Sequence, residues 1–81
     1  MAERKVLVGG VYRHFKGTNY VVLSLAVDAN TKKPLVLYHN PNDPEHTLWV
    51  RAYDEFLSEV DKEKYRYVTQ KWRFELVGEV F

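Results

Sequence analysis

The chain contains no cysteine, which excludes a disulfide framework, cysteine-ligated zinc and a thiol nucleophile, and fits a reducing compartment. Long apolar runs are also missing. No stretch approaches the roughly 18 residues of a membrane span, and Val6-Leu7-Val8, the only apolar run in the lead-in, is too short for a signal-peptide core. A cytoplasmic protein is the expectation. Charge of one sign is scarce as well, since the formal net charge is +1, so attraction to a polyanion has to come from local clustering. Gly9-Gly10 and Gly17 match neither a P-loop nor a dinucleotide fingerprint. Ser24 and Ser58 lack a glycine-framed elbow and Thr18 sits in an ordinary turn, so no nucleophile can be assembled. There is no internal repeat, low-complexity tract or second domain.

Aromatic side chains are what the chain has in quantity: six Tyr, four Phe and two Trp in 81 residues. A domain this small buries only about 60% of its unfolded surface. Large aromatic rings can then supply a core that needs no covalent staple. The expectation is one domain over residues 1–81, with 1–9 as a flexible lead-in.

Periodicity reads mostly as strand. Val11 to Phe15 is a first strand, and Lys16-Gly17-Thr18-Asn19 a turn whose Gly and Asn tolerate positive φ. Tyr20 to Val27 is apolar except for Ser24, which suggests a strand central to a strongly bent sheet or one crossing from one sheet to the other. Asp28 to Lys33 reverses the chain, and Pro34 opens a partner strand at Leu35 to Tyr38. A loop with two prolines, His39 to His46, precedes a fourth strand, Thr47 to Arg51. Tyr53, Phe56 and Leu57 then fall at i, i+3 and i+4, the spacing of one helical turn. Tyr65 to Val68 and Trp72 to Val77 read as two more strands, the latter with Trp72, Phe74 and Leu76 on one side. The fold class is therefore all-β, a small SH3-like barrel or a strongly curled antiparallel sheet with one short helical turn.

Candidate ligand-binding residues come from several segments: Tyr12, Arg13, His14, Lys16, Tyr38, Trp49 and Arg51. Arg13 and Arg51 have the forked geometry that grips phosphate or carboxylate, while Tyr38 and Trp49 offer stacking surfaces. The competing reading makes Trp49 the plug of the core, with Arg51 paired to Asp54 or Glu55. His14 shares a face with Tyr12, and Arg13 points to the other; a lone strand histidine is more often structural than catalytic. His39, Asp43, Glu45 and His46 share one loop, but their spacing fits no established ligand pattern and no metal or cofactor is assigned. Lys62, Lys64, Arg66, Lys71 and Arg73 form either a solvated face or an anion-binding stripe.

Taken together, Gly10-x-Tyr12-Arg13-His14-Phe15-Lys16-Gly17, Tyr20-x-Val22-Leu23, Val36-x-Tyr38, Leu48-Trp49-Val50-Arg51 and Phe56 resemble a family of small bacterial proteins catalogued as a domain of unknown function, DUF1653. The resemblance covers roughly residues 10 to 60. It departs from the family pattern at Ala52 and Glu55, which stand where the family usually has Pro and Met. It implies a compact, mostly β domain and brings no activity, substrate or cofactor with it. The leading functional expectation is a noncatalytic binding module for nucleic acid or a nucleotide-like anion. A protein-interaction or assembly domain comes second, and a small enzyme using His14 third.

Overall fold

The computed structural model describes residues 4–79. Five strands and one helical turn follow in chain order: β1 (Gly10–His14), β2 (Asn19–Val27), β3 (Pro34–His39), β4 (Trp49–Ala52), α1 (Tyr53–Phe56) and β5 (Phe74–Glu79). They form one antiparallel sheet in the order β4-β3-β2-β1-β5. β4 and β5 are its edges and do not pair, so of the two expected architectures the curled sheet forms and the closed barrel does not. No helix among the described residues is long and apolar enough to cross a membrane.

Two bulges account for the curl. The β2–β3 register shifts between Val22 and Ser24, and the β1–β5 register shifts between Val11 and Tyr12. An extra residue on one strand of a pair bends that strand and increases its twist. The first bulge also explains why apolar residues stand at both parities of β2, with Ser24 the one break. Val22 pairs with buried Tyr38 before the shift and Leu25 with buried Val36 after it, so the inward parity changes within a single strand. The result is deep curvature. Four intervals of about 4.8 Å would hold the sheet edges about 19 Å apart if it were flat, yet the Arg51 guanidinium of β4 lies 5.7 Å from the Phe74 ring of β5.

The core sits inside that curl and is largely aromatic. Tyr12, Tyr38, Phe56 and Phe74 are buried together with Val6, Val22 and Val36. Phe56 and Phe74 stack with centroids 4.1 Å apart and planes 7° from parallel, and Tyr12 and Tyr38 meet Phe56 edge-on at 5.1 and 5.5 Å. A four-residue helix is not stable by propensity. α1 exists because Phe56 is inserted into this cluster, with Asp54 and Glu55 complementing its first turn.

Of the expected lead-in 1–9, residues 1–3 lie outside the described residues; residues 4–9 form no strand, but they are held. Tyr12 Oη accepts a hydrogen bond from the Leu7 amide at 2.9 Å, and Tyr53 Oη accepts one from the Val6 amide at 3.0 Å. Arg4 donates to the carbonyls of Leu57 and Phe74 at 2.7 and 2.9 Å while lying 4.0 Å above the Trp72 ring. Gly10 is the tight point of this layer. A Cβ there would stand 2.9 Å from Leu7 O, 2.9 Å from Leu76 Cδ1 and 3.0 Å from Tyr12 Cε2. Gly10→Ala is therefore expected to cost about 1–3 kcal/mol by overpacking; an unchanged urea midpoint would show that the layer yields freely.

The tail differs from its expected pattern. Tyr65 to Val68 is turn rather than strand, because Tyr65 N donates to Asp61 O and Val68 N to Tyr65 O, while Lys62 Nζ donates to the carbonyls of Val68 and Gln70. Those bonds satisfy the segment internally. Its base is closed by Val60 N to Lys71 O and Arg73 N to Ser58 O, both 2.9 Å, around the Glu59–Trp72 bridge. Trp72 belongs to that bridge, and β5 begins at Phe74. At the other edge, β4 starts at Trp49 rather than Thr47, since Asp43 Oδ2 accepts the Thr47 amide.

Candidate functional site

The β1–β2 turn places the first site residues. Gly17 N donates to His14 O at 2.7 Å and His14 N to Thr18 O at 2.8 Å, with Gly17 at φ 104°. This three-residue loop with a glycine in the left-handed region fixes the strand register, so Tyr20 comes to lie opposite Tyr12. Directly paired residues share a sheet face. Tyr12, Tyr20, Tyr38, Trp49, Arg51, His14 and Phe74 accordingly all project into the concave side.

At one end of that side the aromatic core opens into a hollow of about 270 Å³. Its apolar walls are Tyr20, Tyr38, Trp49 and Phe74, and its polar groups are His14, Lys16, Thr18 and Arg51. No carboxylate lines it among the described residues. Five of the seven candidates, His14, Lys16, Tyr38, Trp49 and Arg51, are thus brought to one place. Tyr12 is not among them, because it is 2% exposed and its hydroxyl is engaged by the Leu7 amide. Nor is Arg13, which follows Tyr12 on the strand and so projects from the convex face. It lines a separate hollow with Phe15, Gln70 and Glu75, and a joint grip of Arg13 and Arg51 on one anion does not form.

Trp49 is 48% exposed at the rim of the hollow, not a core plug; Phe56 and Phe74 fill that role. Arg51 pairs with neither Asp54 nor Glu55. Its Nε donates to Tyr38 Oη at 3.3 Å, and the one ion pair among the described residues is Lys71–Glu59 at 3.8 Å. The guanidinium keeps its terminal nitrogens available for a ligand. The loop from His39 to His46 gathers no three metal-binding groups among the described residues, and Asp43 uses its carboxylate on the amides of Glu45 and Thr47.

His14 sits against the rings of Phe15 and Phe74 at 4.3 and 4.9 Å. Its Nδ1 accepts the Lys16 amide at 3.1 Å, so the neutral ring carries its proton on Nε2. Burial, with Arg51, Lys16 and Arg73 adding like charge, lowers its pKa to about 4. Such an imidazole is a hydrogen-bond donor at neutral pH and a poor general base. Because the folded pKa lies below the unfolded 6.5, the unfolded chain takes up the proton first as pH falls. Stability is therefore expected to decline from pH 6.5 to about 4 and then to stop responding to this group. His14→Gln should flatten that slope in pH-dependent urea unfolding, and an imidazole NMR midpoint near 6.5 in the folded protein would refute the account.

Sequence reasoning missed Thr18, Tyr20 and Phe74 as lining residues. The signals were present in the Gly17 turn, which sets Tyr20 opposite Tyr12, and in the alternation around Phe74. What the alternation cannot convey is that the two sheet edges approach each other.

Neither a curated protein nor a solved structure matches the chain. The residues that frame the hollow, from the β1 turn through Trp49 and Arg51 to Phe74, all fall within residues 10–76, the span matched by the protein family of unknown function DUF1653, to which this chain belongs.

Proposed function

We propose that this domain is a noncatalytic, cytoplasmic binding module whose ligand is an anion carrying a flat ring, a nucleotide or one nucleotide unit of a strand. The observation behind this reading is the pairing, in one acid-free hollow, of an exposed indole with two cations, Trp49 with Lys16 and Arg51. Trp49 supplies a stacking face. The Arg51 fork and the Lys16 ammonium meet the phosphate, and the Nε2–H of His14 supplies a neutral donor. A hollow of about 270 Å³ is near the lower end of small-molecule sites, roughly 300–1,000 Å³, which suits one mononucleotide.

The test is an amide-shift titration of the labelled protein with a nucleoside monophosphate at low and moderate salt. Saturable, salt-weakened shifts at His14 to Thr18 and Trp49 to Arg51 are expected. A spectrum that stays still at millimolar ligand would remove the reading.

A second reading, an assembly domain, has one observation in its favour. Val11, Val21, Leu35, Leu37 and Val50 share the convex face of the sheet, and none of them is fully buried. Sedimentation over a range of protein concentrations distinguishes the two, since self-association that spares the nucleotide shifts would add assembly to binding rather than replace it.

A further inference from the structure

The hollow does not end at its rim. Lys16, which lines it, places Nζ 5.9 Å from the Phe15 ring and 5.8 Å from the Tyr65 ring, and those two rings are 4.7 Å apart. Lys64 approaches Tyr65 from its own side at 5.5 Å. Beyond Tyr65 the turn wraps a third hollow of about 500 Å³ that includes Lys64, Arg66 and Tyr67, with Glu63 its one acid, and Tyr67 also borders the hollow of Arg13 and Glu75. Tyr67 is 99% exposed. The other cations of the segment are committed elsewhere, Lys62 to backbone carbonyls, Lys71 to Glu59 and Arg73 to Ser58. Lys64 and Arg66 have no ion-pair partner among the described residues.

A ring wholly in water contributes nothing to packing, and a second set of aromatics and cations joined to the first through Lys16 is more than a mononucleotide can use. We infer that, granting the reading of the hollow as a nucleotide site, the ligand is single-stranded nucleic acid laid along a track from Trp49 past Lys16 and Tyr65 to Tyr67. Unpaired bases have free π-faces for Trp49 and Tyr67, while Lys16, Arg51, Lys64 and Arg66 follow the phosphates. A duplex hides those faces inside its stack. The sequence preference of such a track is weak, because every base stacks and no fixed donor–acceptor pattern is presented beyond the hollow.

The experiment measures affinity for thymidine monophosphate, a ladder of oligothymidylates up to about 8 nucleotides, within the site sizes of small β domains, and an octamer duplex. Affinity is expected to climb with length and level off, with the duplex weaker than the single strand. Tyr67→Ala, which leaves the core untouched, should weaken the octamer about fivefold or more, the usual loss for one stacked base, and leave the monophosphate unaffected. Lys64→Ala and Arg66→Ala should each make the salt slope of octamer binding shallower by roughly 0.7. Monophosphate binding with no gain from length, or an octamer indifferent to Tyr67→Ala, overturns the track and leaves the hollow standing. Binding of neither overturns both.

Discussion

Phe56→Ala is expected to remove about 3–5 kcal/mol, the usual cost of deleting a buried phenyl ring, from a domain whose whole stability lies in the usual range of about 5–15 kcal/mol. The site leaves little room for relief. Phe56 is fully buried, stacked on Phe74 and held at its edges by Tyr12 and Tyr38, so three rings lose contacts at once. α1 has four residues and no side-chain cap, and without its anchor it has no reason to persist. Loss of α1 would release Tyr53 and, with it, the hydroxyl that receives the Val6 amide. Urea unfolding followed by far-ultraviolet circular dichroism measures the change. A midpoint lowered by less than the equivalent of 1 kcal/mol would mean that the cluster collapses around the gap, and that this core is far more deformable than its ring geometry suggests.

Arg51→Ala is expected to weaken nucleotide binding at least about tenfold while leaving the fold intact, since a charge-assisted hydrogen bond contributes about 1.5–3 kcal/mol. In the free protein Arg51 gives only one long hydrogen bond, to Tyr38, so its removal costs the fold little. Arg51→Lys separates charge from shape. An ammonium retains the attraction but cannot form the fork, and an intermediate affinity is the expected result. Quenching of indole fluorescence reports occupancy beside Trp49, with Trp72, half-buried beneath Arg4, as a steadier background. Equal affinities for wild type and Arg51→Ala would place the phosphate elsewhere and sink the assignment of this cation.

Much of the fold was legible because local chemistry dictates it. The Gly17 turn, the Asp28 turn, with its carboxylate accepting the amides of Asn30 and Thr31, and Pro34 at the head of β3 define the β1–β3 meander before any tertiary contact is considered. The tail was not legible. Tyr65-Arg66-Tyr67-Val68 alternates like a strand, but its amides turn back locally, Tyr65 N to Asp61 O and Val68 N to Tyr65 O, and the Lys62 amine takes the Val68 carbonyl. For the site, alternation assigned His14 and Arg13 correctly to opposite faces. It gave no depth, because Tyr12, Tyr38 and Trp49 all face inward and only the closing of the sheet over the first two leaves the third in water. That closure comes from bulges at Leu23 and Val77, and neither residue announces itself as a bulge.

The strand order has a consequence for how the chain acquires its structure. β1 to β4 are joined as successive hairpins, so their pairings involve near neighbours and form quickly. β5 pairs instead with β1, as in His14 with Phe74, across the whole intervening chain. During synthesis, which delivers the N-terminal part first, the four-stranded meander must wait with Phe56 and the flank of β1 uncovered until Phe74 arrives to stack and Arg4 can grip its carbonyl. In that interval the nascent domain is a sheet with an open apolar side, and its last strand acts as the latch that ends its exposure to aggregation.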